Sequence, residues 1–269
     1  MASITPINAA DLDFDNGTWD ASAFAAQTLS SWPSLAAVID HTLLKPEATR
    51  KQVEVLCDEA ARYRFACAMI NPVWAATAVS LLAGTGVPVG VVIGFPLGAS
   101  LVSTLRHEAA ALTRLGVREL DMVLPIGQLK SGNHQAVLHT IHATASEAHH
   151  HGALLKVILE TGQIAEPERI RRAAEIAIEG GAQFLKTSTG KTEPGATPNG
   201  AAALLAAIGD AASRGLQIGF KASGGIRSIE QAQLYLRLYE DRFGADSARP
   251  ENFRIGASAL IHELLAQLQ

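Results

Sequence analysis

From residue 35 onward, short and nearly unbroken apolar runs alternate with longer stretches whose apolar residues return at helical spacing. The runs cover residues 37–42, 66–71, 89–94, 119–124, 154–160, 183–187, 217–222 and 253–256. A run without polar alternation suits a strand covered on both faces. The stretches between them have helix ends written into them. Thr49 with Gln52, and Ser228 with Gln231, form capping boxes. Thr197 caps a helix that has Pro198 at its first position. Gly84, Gly116, Gly152, Gly180 and Gly215 follow helical segments, where a left-handed residue ends a helix. Repeated strand–helix units predict a parallel sheet with right-handed crossovers, and eight of them predict closure into a (β/α)8, or TIM, barrel. Residues 1–33 are polar and irregular, with a short helix expected near 21–30, and read as an N-terminal extension. Residues 34–269 read as a single barrel domain, with a surface loop over 241–251.

Composition narrows this picture. Of 269 residues, 48% are hydrophobic and 18% charged, enough apolar material for a large core. A net charge of -4 implies no broad basic surface, so nucleic acid is not an expected partner, while a local cationic pocket for a small anion remains compatible with it. The N-terminus has neither the basic start nor the apolar core of a secretory signal. The longest apolar stretch, residues 87–102, is interrupted by Pro88 and Pro96 and is too short to span a bilayer, so no membrane partner is expected. Cys57 and Cys67 are the only cysteines, which is no disulfide framework; a reducing cytoplasm is the simplest home.

In a parallel barrel the chemistry lies where strands end and loops begin. Reading those ends in order gives Asp40 and Thr42, Asn71, Asp121, Lys156 and Glu160, Lys186 and Thr187, Lys221, and Gly256 with Ser258. Asp121, Lys156, Lys186 and Lys221 interrupt strongly apolar runs. A buried charge must be paired or must shift its pKa. One reading is a structural ion-pair network. The other is a lysine made neutral by burial and by a neighbouring ammonium, which can then attack a carbonyl. Lys186 and Lys221 fall on consecutive strands and should be neighbours, with Asp121 available for proton transfer and Lys156 to hold it ionised. Three glycine-bearing turns follow the last three strands: Gly190 with Lys191, Gly224 and Gly225 with Arg227, and Gly256 with Ser258. Barrels bind phosphate at such turns. Gly-Lys-Thr at 190–192 is not a nucleotide-binding P-loop, since Leu185 stands where that motif needs glycine.

The segments IDHTLLKPEAT, INP, GFPLG, ELDMVLPIG, LLKVILETG, FLKTSTG, GFKASGGIR and RIGASAL occur in this order over residues 38–264. With them the chain resembles the deoxyribose-phosphate aldolases, a class I aldolase family. The resemblance implies reversible cleavage of 2-deoxy-D-ribose 5-phosphate to D-glyceraldehyde 3-phosphate and acetaldehyde. It implies Lys186 as the Schiff-base lysine, Lys221 as the lysine that lowers its pKa, and Asp121 with Lys156 as the proton relay. Asp40, Thr42 and Thr189 would contact substrate. Gly190, Lys191, Gly224, Gly225, Arg227, Gly256 and Ser258 would hold phosphate. No cofactor and no metal are implied, because the imine is its own electron sink. The partner would be a small phosphorylated sugar, and the assembly a homodimer, as relatives often are. Three departures stand out. Met69 occupies the place of a cysteine in many relatives, with Cys67 two residues earlier on the same strand face. Ala259 replaces a second serine. No tyrosine-ended tail follows the last helix, and the chain stops at Gln269. Two other readings stay open at this level: another Schiff-base sugar-phosphate aldolase, and a non-catalytic sugar-phosphate sensor on the same barrel.

Other residues invite attention. His134, His139, His142 and the run His149, His150 and His151 crowd one expected helix, where a solvated face is favoured over a metal site. Trp32 and Trp74 read as packing residues. His41 could face either the barrel interior or the helical layer.

Overall fold

Eight parallel strands pair in sequence order and close on themselves: β1 (Ile39–Leu43), β2 (Cys67–Ile70), β3 (Val89–Ile93), β4 (Glu119–Val123), β5 (Leu154–Ile158), β6 (Phe184–Lys186), β7 (Gly219–Ser223) and β8 (Phe253–Ala257). The β1–β8 pairing, with Ile39 opposite Ile255, leaves the sheet no open edge. This computed structural model describes residues 35–258 together with 260 and 261. The helix expected near 21–30, Trp32, Ala259 and the chain end lie outside them.

Nine α-helices connect the strands among the described residues: α1 (Arg50–Tyr63), α2 (Ala75–Leu81), α3 (Val102–Arg114), α4 (Ile126–Lys130), α5 (His134–His150), α6 (Thr161–Ile164), α7 (Pro167–Glu179), α8 (Pro198–Ser213) and α9 (Ile229–Phe243), with a short 3-10 turn at Pro72–Trp74. Both capping boxes form, at Thr49 and Ser228, and the Thr197 hydroxyl accepts from the Gly200 amide. Helix α1 shows how the pattern works. Val53, Leu56, Cys57 and Ala60 recur three and four residues apart and are all buried against the strands. Each fully buried Val or Leu of that kind contributes about 1.5–3 kcal/mol. The main core is this shell between sheet and helices. A second small apolar cluster, Cys67, Met69 and Val92, lies apart from it.

Four details differ from the sequence reading. Gly180 stays in the helical region (φ -72°), and Gly181 takes the left-handed turn (φ +97°), because α7 runs one residue further than expected. Helix α9 continues to Phe243, so the loop is shorter than 241–251. Strand β5 stops at Ile158, and Glu160 turns left-handed beyond it. Strand β8 runs to Ala257, one residue past the expected run, so Gly256 lies within it; a Cβ there would meet Ser223 Cβ at 2.8 Å and Lys221 Cε at 3.1 Å, so its missing side chain makes room for Lys221. No described helix is long and apolar enough to cross a membrane.

Candidate active site

The strand register decides which charged groups meet. Asp121 on β4 lies opposite Lys156 on β5. Lys186 on β6 lies opposite Lys221 on β7, which lies opposite Arg254 on β8. All five are buried, as are Asp40 and Glu119. Lys186 Nζ and Lys221 Nζ converge on one oxygen, Asp121 Oδ2, at 2.7 and 2.8 Å. Lys156 Nζ stands 3.2 Å from the other oxygen of Asp121 and also pairs with Glu119. Lys221 pairs in addition with Asp40. Arg254 closes the cluster, with Nη1 2.6 Å from Asp40 Oδ1 and Nη2 3.0 Å from Glu119 Oε1. Gly219 leaves room for the Phe184 ring, over which Lys156 and Arg254 lie at 6.0 and 5.7 Å.

Electrostatics separates these groups. Burial alone would raise the Asp121 carboxyl, but Lys156, Lys186 and Lys221 outweigh it and hold it well below the carboxylate range. Burial would likewise raise Asp40, and Lys156, Lys221 and Arg254 pull it down. Burial would lower Lys156, yet Asp121, Asp40 and Glu119 keep it raised. Lys186 behaves the other way: burial, aided by the Lys221 and Lys156 charges, prevails over Asp121 and pushes it down to about 8. Of the three lysines only Lys186 keeps any side-chain exposure, 4% against 0% for Lys156 and Lys221.

Lys186 reaches the floor of a cavity of about 240 Å³ at the strands' C-terminal ends. Thr42, Thr189, Gly190, Lys191, Gly224, Gly225, Gly256 and Ser258 line it, all of them expected at the site. Two of the expected substrate and phosphate contacts do not. Asp40 sits beneath, in the charged cluster, and Arg227 is exposed outside the lining, with its amide bonded to Gln231 Oε1 at 2.7 Å. A larger groove, about 610 Å³, runs between Asn71 and the helix bearing His107 and Glu108, and its lining contains no lysine. The buried lysine cluster opens on the smaller cavity, through Lys186.

Residues 34–249 match the family model of DeoC/LacD family aldolases. The chain belongs to this family. The aldolase, a carbon–carbon lyase, is 45% identical over 214 residues to the deoxyribose-phosphate aldolase of Desulfitobacterium hafniense, a match that covers 80% of this chain and 95% of that one. It is 42% identical to the deoxyribose-phosphate aldolase of a Geobacillus species, covering 80% and 92%. Among solved structures, the tetrameric deoxyribose phosphate aldolase of Aeropyrum pernix superposes with a TM-score of 0.75 at 31% identity, over 93% of this chain and 98% of that one.

The sequence reading of the aldolase left out Glu119 and Arg254, which complete the charge cluster, and Ser223, which lines the cavity and donates to Ser188 O at 2.5 Å. A signal for Glu119 was available: it lies two residues before Asp121 on one strand and so shares its face. Asp40, Cys67 and Glu119 are the one close group of metal-type ligands among the described residues, and both carboxylates are already engaged by cations. On α5, His139, His142, His149 and His150 are exposed. His41 points to the helical layer, where Nε2 meets Glu59 at 2.7 Å, and Trp74 packs against the main core.

Both thiols of the aldolase are buried free cysteines. Burial pushes Cys57 up to about 11 and Cys67 well above its ordinary value. Since the thiolate is the reactive form, neither should react quickly in the native protein. Ellman titration is expected to find no fast thiol before denaturation and two after it. A fast thiol in the native state would contradict this burial.

Proposed function

We propose that this aldolase reversibly cleaves 2-deoxy-D-ribose 5-phosphate to D-glyceraldehyde 3-phosphate and acetaldehyde through an imine on Lys186. One observation carries the reading. The buried cluster sets three carboxylates, Asp40, Glu119 and Asp121, against four basic groups, Lys156, Lys186, Lys221 and Arg254. The surplus is one positive charge. Loss of a proton from Lys186, the member that opens on the cavity, leaves the cluster neutral. The group that can reach a substrate is therefore also the one whose neutral, nucleophilic form the surroundings favour.

The neutral amine attacks the aldehyde carbon of the open-chain sugar. Asp121 Oδ2, 2.7 Å from Nζ, is within reach of the proton the nitrogen then loses. Returned by Asp121 or through water to the carbinolamine hydroxyl, that proton lets water leave and gives the protonated imine, with Asp121 ionised again. The C3 hydroxyl gives up its proton, directly or through water, to the same carboxylate. The C2–C3 bond then breaks, and its electron pair moves toward the imine to form the enamine of acetaldehyde. Glyceraldehyde 3-phosphate departs. Protonation of the enamine carbon and hydrolysis release acetaldehyde and restore Lys186. Lys221, beside Lys186, helps push the Lys186 proton off, and Lys156 helps hold Asp121 well below the carboxylate range. Thr42 and Thr189 are the proposed contacts to the sugar. The rim of Gly190, Lys191, Gly224, Gly225, Gly256 and Ser258 is the proposed phosphate seat, with Arg227 two residues beyond Gly225 in the same loop. Two unpaired thiols are consistent with work in a reducing cytoplasm.

The test is direct. Purified protein given deoxyribose 5-phosphate should release acetaldehyde and glyceraldehyde 3-phosphate in equal amounts. Activity on sugars that instead yield dihydroxyacetone phosphate, and none here, would assign it to another sugar-phosphate aldolase.

The pH dependence follows from Lys186. With a free-enzyme value of about 8, the rate of imine formation should fall about tenfold per unit below it and level off above it. By linkage, the folded chain holds this proton less tightly than the unfolded one, whose ordinary value is 10.5. Lys186 therefore opposes folding below pH 8, and that penalty fades as pH climbs toward 10.5. Trapping rates measured from pH 6 to 10 check the first statement; a flat profile would contradict it.

A further inference from the structure

Behind the cavity, one buried carboxylate has no part in the charge cluster. Glu160 is fully buried, yet its backbone is left-handed, with φ 56° and ψ 57°. That conformation is strained for any residue with a Cβ. Its side chain accepts two hydrogen bonds from a single residue across the loop. The Thr189 hydroxyl donates to Oε2 at 2.5 Å, and the Thr189 amide donates to Oε1 at 3.2 Å. The Thr189 oxygen in turn accepts from the Lys191 amide at 3.0 Å, which closes a turn around Gly190 (φ +73°). Thr189, Gly190 and Lys191 all line the cavity, whereas Glu160 does not.

The rest of the loop after β5 supports the same segment. Leu159 and Thr161 donate their amides to Lys186 O and Thr187 O, each at 2.9 Å. Gln163 Nε2 donates to Glu193 O at 3.3 Å. A Cβ on Gly162 would fall 2.1 Å from Pro194 O, so the two loops touch backbone to backbone.

We propose that Glu160 is the positioning residue of the anion-binding turn: its carboxylate fixes the shape of Thr189, Gly190 and Lys191 without touching substrate. The inference rests on the reading of that rim as a phosphate seat. A carboxylate suits the task because it offers acceptors on both oxygens to two donors; glutamine would present its NH₂ to one of them. Electrostatics alone would argue the opposite, since a negative charge behind a phosphate site repels the ligand. The two effects give opposite signs, which makes the idea testable.

The experiment titrates inorganic phosphate into the full-length protein by calorimetry and measures KM for deoxyribose 5-phosphate and for free deoxyribose, with Glu160→Gln beside wild type. The turn-shaping role predicts phosphate binding and KM for the phosphorylated sugar weaker by about tenfold, with a clearly smaller loss on free deoxyribose, which keeps only the Thr189 contact of that turn. Tighter phosphate binding in Glu160→Gln, or equal losses on both sugars, would overturn it. Should Glu160→Gln not fold, Thr189→Val removes the other end of the same bond and should weaken phosphate equally. Thr189→Ser, which keeps the hydroxyl, should restore it, and failure to restore would count against the role. A wild-type protein that binds phosphate but cleaves no deoxyribose 5-phosphate would sink the proposed reaction instead, while the phosphate titration still decides the role of Glu160.

Discussion

Lys186→Arg is expected to fold normally and to lose cleavage of deoxyribose 5-phosphate by about four orders of magnitude or more. A guanidinium keeps the charge and much of the length, but it stays protonated and cannot form an imine. The partner variant Lys186→Met separates chemistry from stability. Lys186 is the surplus cation of a buried cluster whose other members balance, and at pH 7 it is held in a setting that pushes its proton off. Its replacement by an apolar side chain of similar length should leave thermal stability at pH 6–7 unchanged or higher, while activity disappears. The position would then be one where function is kept at the expense of stability. Substantial turnover in Lys186→Arg would refute covalent catalysis. A large drop in melting temperature for Lys186→Met would refute the charge count.

The second large effect concerns Asp121. Asp121→Asn should lower turnover by about a thousandfold, within the range that a positioned acid–base group supplies. It should also destabilise the fold by about 3–5 kcal/mol, because three buried nitrogens lose the anion they share. The informative part is what survives. Asp121 is the group that raises Lys186, so its removal leaves the amine at least as easily neutral as before. Imine formation with acetaldehyde should then persist in the variant while C–C cleavage fails. Borohydride trapping beside a turnover assay reads both. Parallel loss of the two in a folded variant would mean that Asp121 serves only to arrange the lysines.

How much of this was readable in the string depends on what each residue had to signal. The eight strands were legible because barrel strands are covered on both faces, and their apolar runs stand out from the amphipathic helices. Asp121, Lys156, Lys186 and Lys221 were legible because a charge inside such a run has no solvent to face. Glu119 and Arg254 are hard to read from the string because they stand at or near the first residue of their strands, where a charged residue looks like the end of a loop. Only the register of β7 with β8 turns Arg254 toward the cluster. Asp40, expected among the substrate contacts, lies deeper than Thr42. Two residues along a strand descend about 6.6 Å, enough to pass from the cavity floor to the ion-pair layer. Arg227 shows the same limit at a loop. Its neighbours Gly224 and Gly225 line the cavity, but the capping box of α9 turns its amide toward Gln231 and leaves the residue outside the lining. Glu160 was noticed as a polar strand end, while its left-handed turn and its grip on Thr189 come from contacts across loops that no single segment encodes.

The most direct test of the central claim is reduction with borohydride in the presence of acetaldehyde, followed by peptide mass mapping. A stable ethyl group on the peptide that carries Lys186, formed faster as pH rises through 8, is the predicted result. An unmodified Lys186 peptide, or an adduct confined to Lys221, would contradict the assignment of the nucleophile.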